Sequence, residues 1–282
     1  MKITKKQNII ISNPETRNFL ADAFYPETEK KLPLIVFVHG YKGYKDWGAW
    51  NLMAEKFAEA GFFFVKFNFS HNGTTVEDPH NFADLEAFGN NNYSKELSDL
   101  LAVINYFVKD AKVDDQKIIL IGHSRGGGIS IVNTYEDERI NGLITLASVD
   151  SLERFPKNEA FENWKKAGVY YVVNGRTKQE MPHYYQFFED FEKNEHRFDV
   201  ERATEMAKAH FLIIHGTNDE SVGVKNAEHL HILHPNSELF LIENANHTFG
   251  AKEPWEEENL PGDLSKVVEK SIEFINDKIV NE

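Results

Sequence analysis

Short runs of consecutive apolar residues punctuate this chain, and between them apolar positions recur every three or four residues. The runs are Leu34-Ile35-Val36-Phe37-Val38, Phe62-Phe63-Phe64-Val65, Ile118-Ile119-Leu120-Ile121, Leu143-Ile144-Thr145-Leu146-Ala147, Phe211-Leu212-Ile213-Ile214 and Leu239-Phe240-Leu241-Ile242. Runs of four or five without alternation predict strands covered on both faces. Two further strands are predicted over residues 7–12 and 18–25, joined by the turn Asn13-Pro14-Glu15. The helical spacing predicts a helix over 49–60, with Leu52, Met53, Phe57 and Ala60 on one face and Gly61 as its stop. A second is predicted over 94–109, with Ser94 as N-cap and Leu97, Leu100, Leu101, Ile104, Phe107 and Val108 as its apolar positions. Others follow over 224–233 and from Pro261-Gly262-Asp263 to about 279.

Two stretches lack this rhythm. Residues 73–92 read as a polar loop. Residues 152–200 are crowded with aromatic and charged side chains, among them Phe155, Phe161, Trp164, Tyr170, Tyr171, Tyr184, Tyr185, Phe187, Phe188 and Phe191. They are expected to form an inserted cap over a core made of residues 1–151 and 201–282. Most of these rings would fix the insertion to the core. Tyr184, Tyr185 and Phe188 are the candidates to line a substrate pocket.

Strands alternating with helices predict an α/β fold, a mostly parallel, doubly wound sheet with helices on both faces. Ligands of such sheets lie outside the carboxyl ends of the strands. Gly40, Ser124, Asp219 and His247 all fall at such ends, so topology alone would gather them on one edge.

The apolar run 118–121 leads directly into Gly122-His123-Ser124-Arg125-Gly126-Gly127-Gly128. This G-x-S-x-G pattern between a strand and a helix predicts a tight turn with the serine hydroxyl at its apex. Gly122 and Gly126 flank the serine because a side chain there would strike the adjoining strand or helix. A serine hydroxyl is a poor nucleophile and needs a base, which in turn needs an orienting carboxylate. His247 is the candidate base and Asp219 the candidate carboxylate. Asp150, at another strand end, is the best alternative acid. His123 is expected to point away from the serine, His215 to shape the Asp219 loop, and Glu220 to face elsewhere. The oxyanion hole is assigned to the backbone N–H groups of Arg125 and Tyr41.

Composition narrows the picture further. The 282 residues suffice for one large domain with an insertion, and the net charge of −14 argues against nucleic acid and anionic membranes as partners. There is no cysteine, hence no disulfide, thiolate site or cysteine nucleophile, which is compatible with the cytoplasm. The apolar run near the N-terminus is too short for a signal-peptide core, and no run is long enough to span a membrane. His229, His231 and His234 do not share a helix face, so no metal site is expected. Gly126–Gly128 lack the flanking residues of a phosphate loop. Lys42-Gly43-Tyr44-Lys45-Asp46 could meet an acidic substrate group, but the plainer reading is a solvated loop.

His39-Gly40 after an apolar strand, Gly-His-Ser-Arg-Gly-Gly, His215-Gly216-x-x-Asp219 and Asn246-His247-x-Phe249 together resemble the α/β hydrolases. Within them the chain is most similar to dienelactone-hydrolase-like and cinnamoyl (feruloyl) esterase-like serine hydrolases. The resemblance covers residues 30–150 and 205–280. It implies an eight-stranded sheet with the second strand antiparallel. It also implies a cofactor-independent carboxylic ester hydrolase that works through an acyl-enzyme on small short-chain or aromatic-acyl esters, as a monomer or homodimer. Dienelactone hydrolases carry a cysteine nucleophile where this chain has Ser124, so that particular activity is not implied. A prolyl-oligopeptidase-like peptidase and a thioesterase are the alternatives within enzymes. A non-catalytic ligand receptor on the same fold is the alternative outside them.

Overall fold

A computed structural model describes residues 2–281. In chain order the elements are β1 (Ile3–Ile11), β2 (Phe19–Pro26), β3 (Leu32–Val38), α1 (Trp50–Glu59), β4 (Phe63–Phe67), α2 (Leu85–Gly89), α3 (Tyr93–Phe107), β5 (Val113–His123), α4 (Arg125–Glu136) and β6 (Ile140–Leu146). Then come α5 (Glu159–Ala167), β7 (Val169–Val173), β8 (Glu180–Tyr184), α6 (Gln186–Lys193), α7 (Val200–Met206), β9 (His210–Gly216), α8 (Lys225–Leu233), β10 (Glu238–Ile242) and α9 (Gly262–Ile275). A turn of π-helix over Asn276–Val280 continues α9.

Eight strands form one sheet in the order β1-β2-β4-β3-β5-β6-β9-β10. Only β2 runs against its neighbours, pairing antiparallel with β1 and β4. The expected sheet, with its reversed second strand, is therefore present. Its apolar runs alternate between two cores. Leu34, Val36, Val38, Ile118 and Leu120 join the core under α3 and α4. Ile35, Phe37, Ile119 and Ile121 join the core under α1 and α9. Helices on both faces are why these strands are apolar at every position.

Several expectations change in detail. The N-terminal strand begins at Ile3 rather than residue 7. Residues 73–92 are not an open loop. They contain α2, whose N-cap Asp84 accepts from the Ala87 N–H, and they are tied to the sheet by Arg17, which contacts Asp84 at 2.7 Å and the Ser70 carbonyl at 2.6 Å. Such side-chain ties leave no periodic trace in sequence. Asn92, not Ser94, caps α3 through the Lys95 N–H, while the Ser94 hydroxyl donates to Asp190 at 2.6 Å.

Between β6 and β9 lie α5, a two-stranded antiparallel hairpin of β7 and β8, α6 and α7. Trp164 is the buried centre of this segment: its indole N–H donates to the His183 carbonyl at 2.8 Å, and Phe155, Phe161, Tyr170, Tyr185 and Phe188 pack around it. Among the described residues no helix is long and apolar enough to cross a membrane.

Candidate active site

Strand β5 ends at His123, and α4 begins at Arg125. Ser124 alone makes the turn, at φ 56° and ψ −122°, a region that strains any residue with a Cβ. The flanking glycines are required for the reason anticipated. A Cβ on Gly122 would overlap the backbone of Gly126 and Gly127 at the start of α4, and one on Gly126 would overlap the Val38 and His39 carbonyls at the end of β3.

The three predicted side chains meet. The Ser124 hydroxyl lies 3.0 Å from His247 Nε2, and His247 Nδ1 lies 2.7 Å from Asp219 Oδ2. The other Asp219 oxygen accepts from the Ser221 and Val222 N–H groups at 2.8 and 2.9 Å. Burial opposes ionisation of Asp219, but hydrogen bonds from His215, His247 and the Val222 N–H outweigh it and hold the carboxyl well below the usual range. His215 shapes this loop, donating to the Val222 carbonyl at 2.8 Å and lying 3.3 Å from Asp219 Oδ2. Asp150 is engaged elsewhere, with His229 Nδ1 at 2.9 Å. His231 faces Ser237 at 2.8 Å, so these helix α8 histidines serve separate contacts.

Two histidines do more than the sequence indicated. His39 Nδ1 donates to the Gly40 carbonyl at 2.9 Å, while its Nε2 accepts from the Phe69 N–H at 3.2 Å. The Gly40 carbonyl and the Tyr41 N–H belong to one planar peptide. Holding the oxygen at His39 fixes where that N–H points. Among the described residues the Tyr41 N–H makes no backbone hydrogen bond. The Arg125 N–H opens α4 and has no acceptor within the helix. His123 was expected only to point away from the serine; its Nε2 donates to the His247 carbonyl at 2.9 Å, with the two rings 4.9 Å apart. The signal for both roles was only adjacency to a glycine or to the serine, which does not reveal a partner.

The loop after β3 is also not the solvated segment expected. Lys45 and Lys66 are buried with Asp22 and Asp46. Lys45 Nζ lies 2.8 Å from Asp22 and 2.6 Å from Asp46; Lys66 Nζ lies 2.6 and 2.5 Å from the same two carboxylates. Burial works against the Asp46 charge, but the two ammonium groups hold its carboxyl far below the usual range. This cluster fastens the loop that carries Tyr41 to β2 and β4.

Two cavities open beside Ser124. One, of about 180 Å3, lies against the loop after β3 and includes Trp47 and Trp50. The other, of about 440 Å3, lies under the β7–β8 hairpin and includes Tyr93, Tyr170, Val172, His183 and Phe187. Tyr184, Tyr185 and Phe188 do not line it. The Tyr184 hydroxyl donates to Glu86, while Tyr185 and Phe188 pack into the aromatic cluster around Trp164. The hairpin is tied to the loop after β3, since the Tyr41 hydroxyl donates to His183 Nε2 at 2.9 Å.

Four imidazoles are kept neutral. Burial lowers His39, His71 and His183 to about 4 and His123 to about 3, from an ordinary 6.5. Each folded value is depressed, so between these values and 6.5 the unfolded chain binds more protons than the folded one. Their contribution is complete above about pH 6.5 and is lost as pH falls toward 4. Burial of Asp99, raised to about 6, and of Glu96 acts in the opposite sense. Four imidazoles against two carboxyls leave a net decline. The urea midpoint is expected to drop steadily between about pH 7.5 and 4.5. A midpoint that held or rose would show that these imidazoles carry charge inside the fold.

A serine, an imidazole and a carboxylate borne on separate strand ends of one doubly wound sheet define a class of α/β protein with a serine hydroxyl at a strand–helix turn. The chain belongs to the alpha/beta hydrolase fold family, whose model matches residues 33–179. It is 26% identical over 122 residues to the quorum-quenching protein AidA of Acinetobacter baumannii (strain MDR-ZJ06), an alignment covering 43% of this chain and 37% of that protein. The matched stretch is thus well under half the length of that relative. Est1E from Butyrivibrio proteoclasticus, solved with ferulic acid bound, superposes with a TM-score of 0.71 at 20% identity, covering 96% of this chain and 99% of that one. The esterase domain of a Rhodothermus marinus protein gives 0.66 at 16% identity, covering 98% and 99%. At these identities the structural likeness is one of fold.

Proposed function

We propose that this protein is a serine carboxylic ester hydrolase that acts through an acyl-enzyme on short-chain or aromatic-acyl esters. The observation that carries the reading is the unbroken contact from Asp219 through His247 to Ser124, with the serine opening onto two cavities. As the Ser124 oxygen bonds to the ester carbonyl carbon, His247 Nε2 takes its proton. Asp219 keeps the imidazole in the tautomer that can accept it. The tetrahedral oxyanion takes hydrogen bonds from the Tyr41 and Arg125 N–H groups. Collapse expels the alcohol, which receives the proton from His247. Water then attacks the acyl-serine by the same route and restores the enzyme.

The aromatic walls of both cavities suit an aromatic or short aliphatic acyl group, and the ferulic acid in Est1E is in keeping with this. The test is reaction with diisopropyl fluorophosphate, followed by turnover of p-nitrophenyl acetate, butyrate and octanoate and of methyl ferulate. One phosphoryl adduct per chain is expected, on the peptide bearing Ser124, with loss of ester turnover in step with labelling. A folded protein that neither labels at Ser124 nor turns over any of these esters would overturn the reading.

A further inference from the structure

The larger cavity is lined by cations, in a chain whose net charge is −14. Lys42, Arg125 and Arg154 all line it, and no aspartate or glutamate does. Arg125 has a counter-ion, the buried Glu96 carboxylate 2.6 Å from its Nη2. Among the described residues Lys42 and Arg154 have none.

Lys42 is the more informative of the two. It is half-buried, and its ammonium lies 4.9 Å from the centre of the Tyr41 ring, which also has the Arg125 guanidinium 5.0 Å away. Its backbone has φ 55°, a left-handed conformation that favours glycine, yet the position carries a long cationic side chain. Burial lowers the Lys42 pKa, and the face of the Tyr41 ring, with no carboxylate beside it, is what the fold sets against that cost. A desolvated cation without a partner is costly unless a ligand supplies the anion. The rest of the wall, Tyr93, Tyr170 and Phe187, would bury the carbon chain between that anion and the reacting ester.

We infer that the ester acted on carries a carboxylate on the part seated under the hairpin, where Lys42 and Arg154 bind it. The inference rests on the serine hydrolase reading above. Arg154 is exposed and acts at the mouth of the cavity, so its share is screened by salt. Lys42, deeper in, supplies the larger share.

The test compares hydrolysis of monomethyl adipate with that of methyl hexanoate, which has the same chain length and no charge. One charge-assisted contact predicts a kcat/KM at least about tenfold higher for the adipate ester. The ratio should shrink with added salt and fall toward one in Lys42→Met. In Arg154→Met, at an exposed site where folding is not at stake, it should fall partway. Equal rates on the two esters, or a preference that survives both substitutions, would overturn the inference. If neither ester is hydrolysed, labelling of Ser124 decides the serine reading separately and calorimetry decides the anion site. Monomethyl adipate that binds the wild type but not Lys42→Met upholds it; no binding to the wild type overturns it.

Discussion

Ser124→Ala is expected to lower kcat/KM for p-nitrophenyl butyrate by about 10^4- to 10^6-fold with the fold intact, because nucleophile and base act as a unit. What little turnover remains should come from the N–H groups of Tyr41 and Arg125 and from the cavities, which the substitution leaves in place. The turn adds a second readout. Ser124 is held at φ 56°, and alanine keeps that strain whereas glycine relieves it. Strain of this kind costs on the order of 1–3 kcal/mol. Glycine also loosens the unfolded chain, which offsets roughly 0.5–1 kcal/mol of the relief. Ser124→Gly should therefore be as inactive as Ser124→Ala but more stable than it in urea. Equal activity in wild type and Ser124→Ala would mean that another group is the nucleophile. Equal stability of the two variants would mean that the turn relaxes without its hydroxyl.

Lys66→Met should be the most destabilising single change in the loop-anchoring cluster. It leaves Asp22 and Asp46 buried with Lys45 as their one remaining ammonium. Breaking one side of a buried ion pair costs about 3–5 kcal/mol, because the surviving charge is no longer compensated. In a chain of this size that is on the order of 10 °C in Tm. Asp22→Asn in the same chain should restore part of the loss, since the amide oxygen can still accept from the Asn8 N–H that now meets Asp22 at 2.8 Å. Thermal melts of the single and double variants test this. A single variant as stable as the wild type would show that water enters the cluster.

The sequence revealed most about positions where one element ends and another begins. Apolar runs mark strands, and their ends mark where a doubly wound sheet presents reactive groups. Ser124, Asp219 and His247 were therefore found from order and placement, without any contact in view. Contacts between distant polar side chains left no such mark. Lys45 lies in a stretch that reads as solvated because Asp22, its partner on β2, is distant in the chain. Asn92 and Ser94 are both good caps, and only the position of Asp190 decides which one caps α3. The hairpin was partly readable: Tyr171 and Val173 are exposed while Tyr170 and Val172 line the cavity, the two-residue period of a strand. Aromatic density alone does not set Tyr184, Tyr185 and Phe188, which lie outside the cavity lining, apart from Tyr170 and Phe187, which lie in it.

β6 and β9 are hydrogen-bonded neighbours, although more than sixty residues separate the end of one from the start of the other. The chain leaves the sheet at one strand and returns beside it, so the excursion fills no gap in the ladder and sets no register. Its length and content are decoupled from the platform that holds the serine. One wall of the larger cavity belongs to this excursion, while the opposite wall belongs to the platform. A descendant of this protein could exchange the whole excursion, and with it the shape and charge of the larger cavity, while Ser124, His247 and Asp219 stayed where they are. Innovation in such a molecule is a matter of rewriting one contiguous stretch of chain.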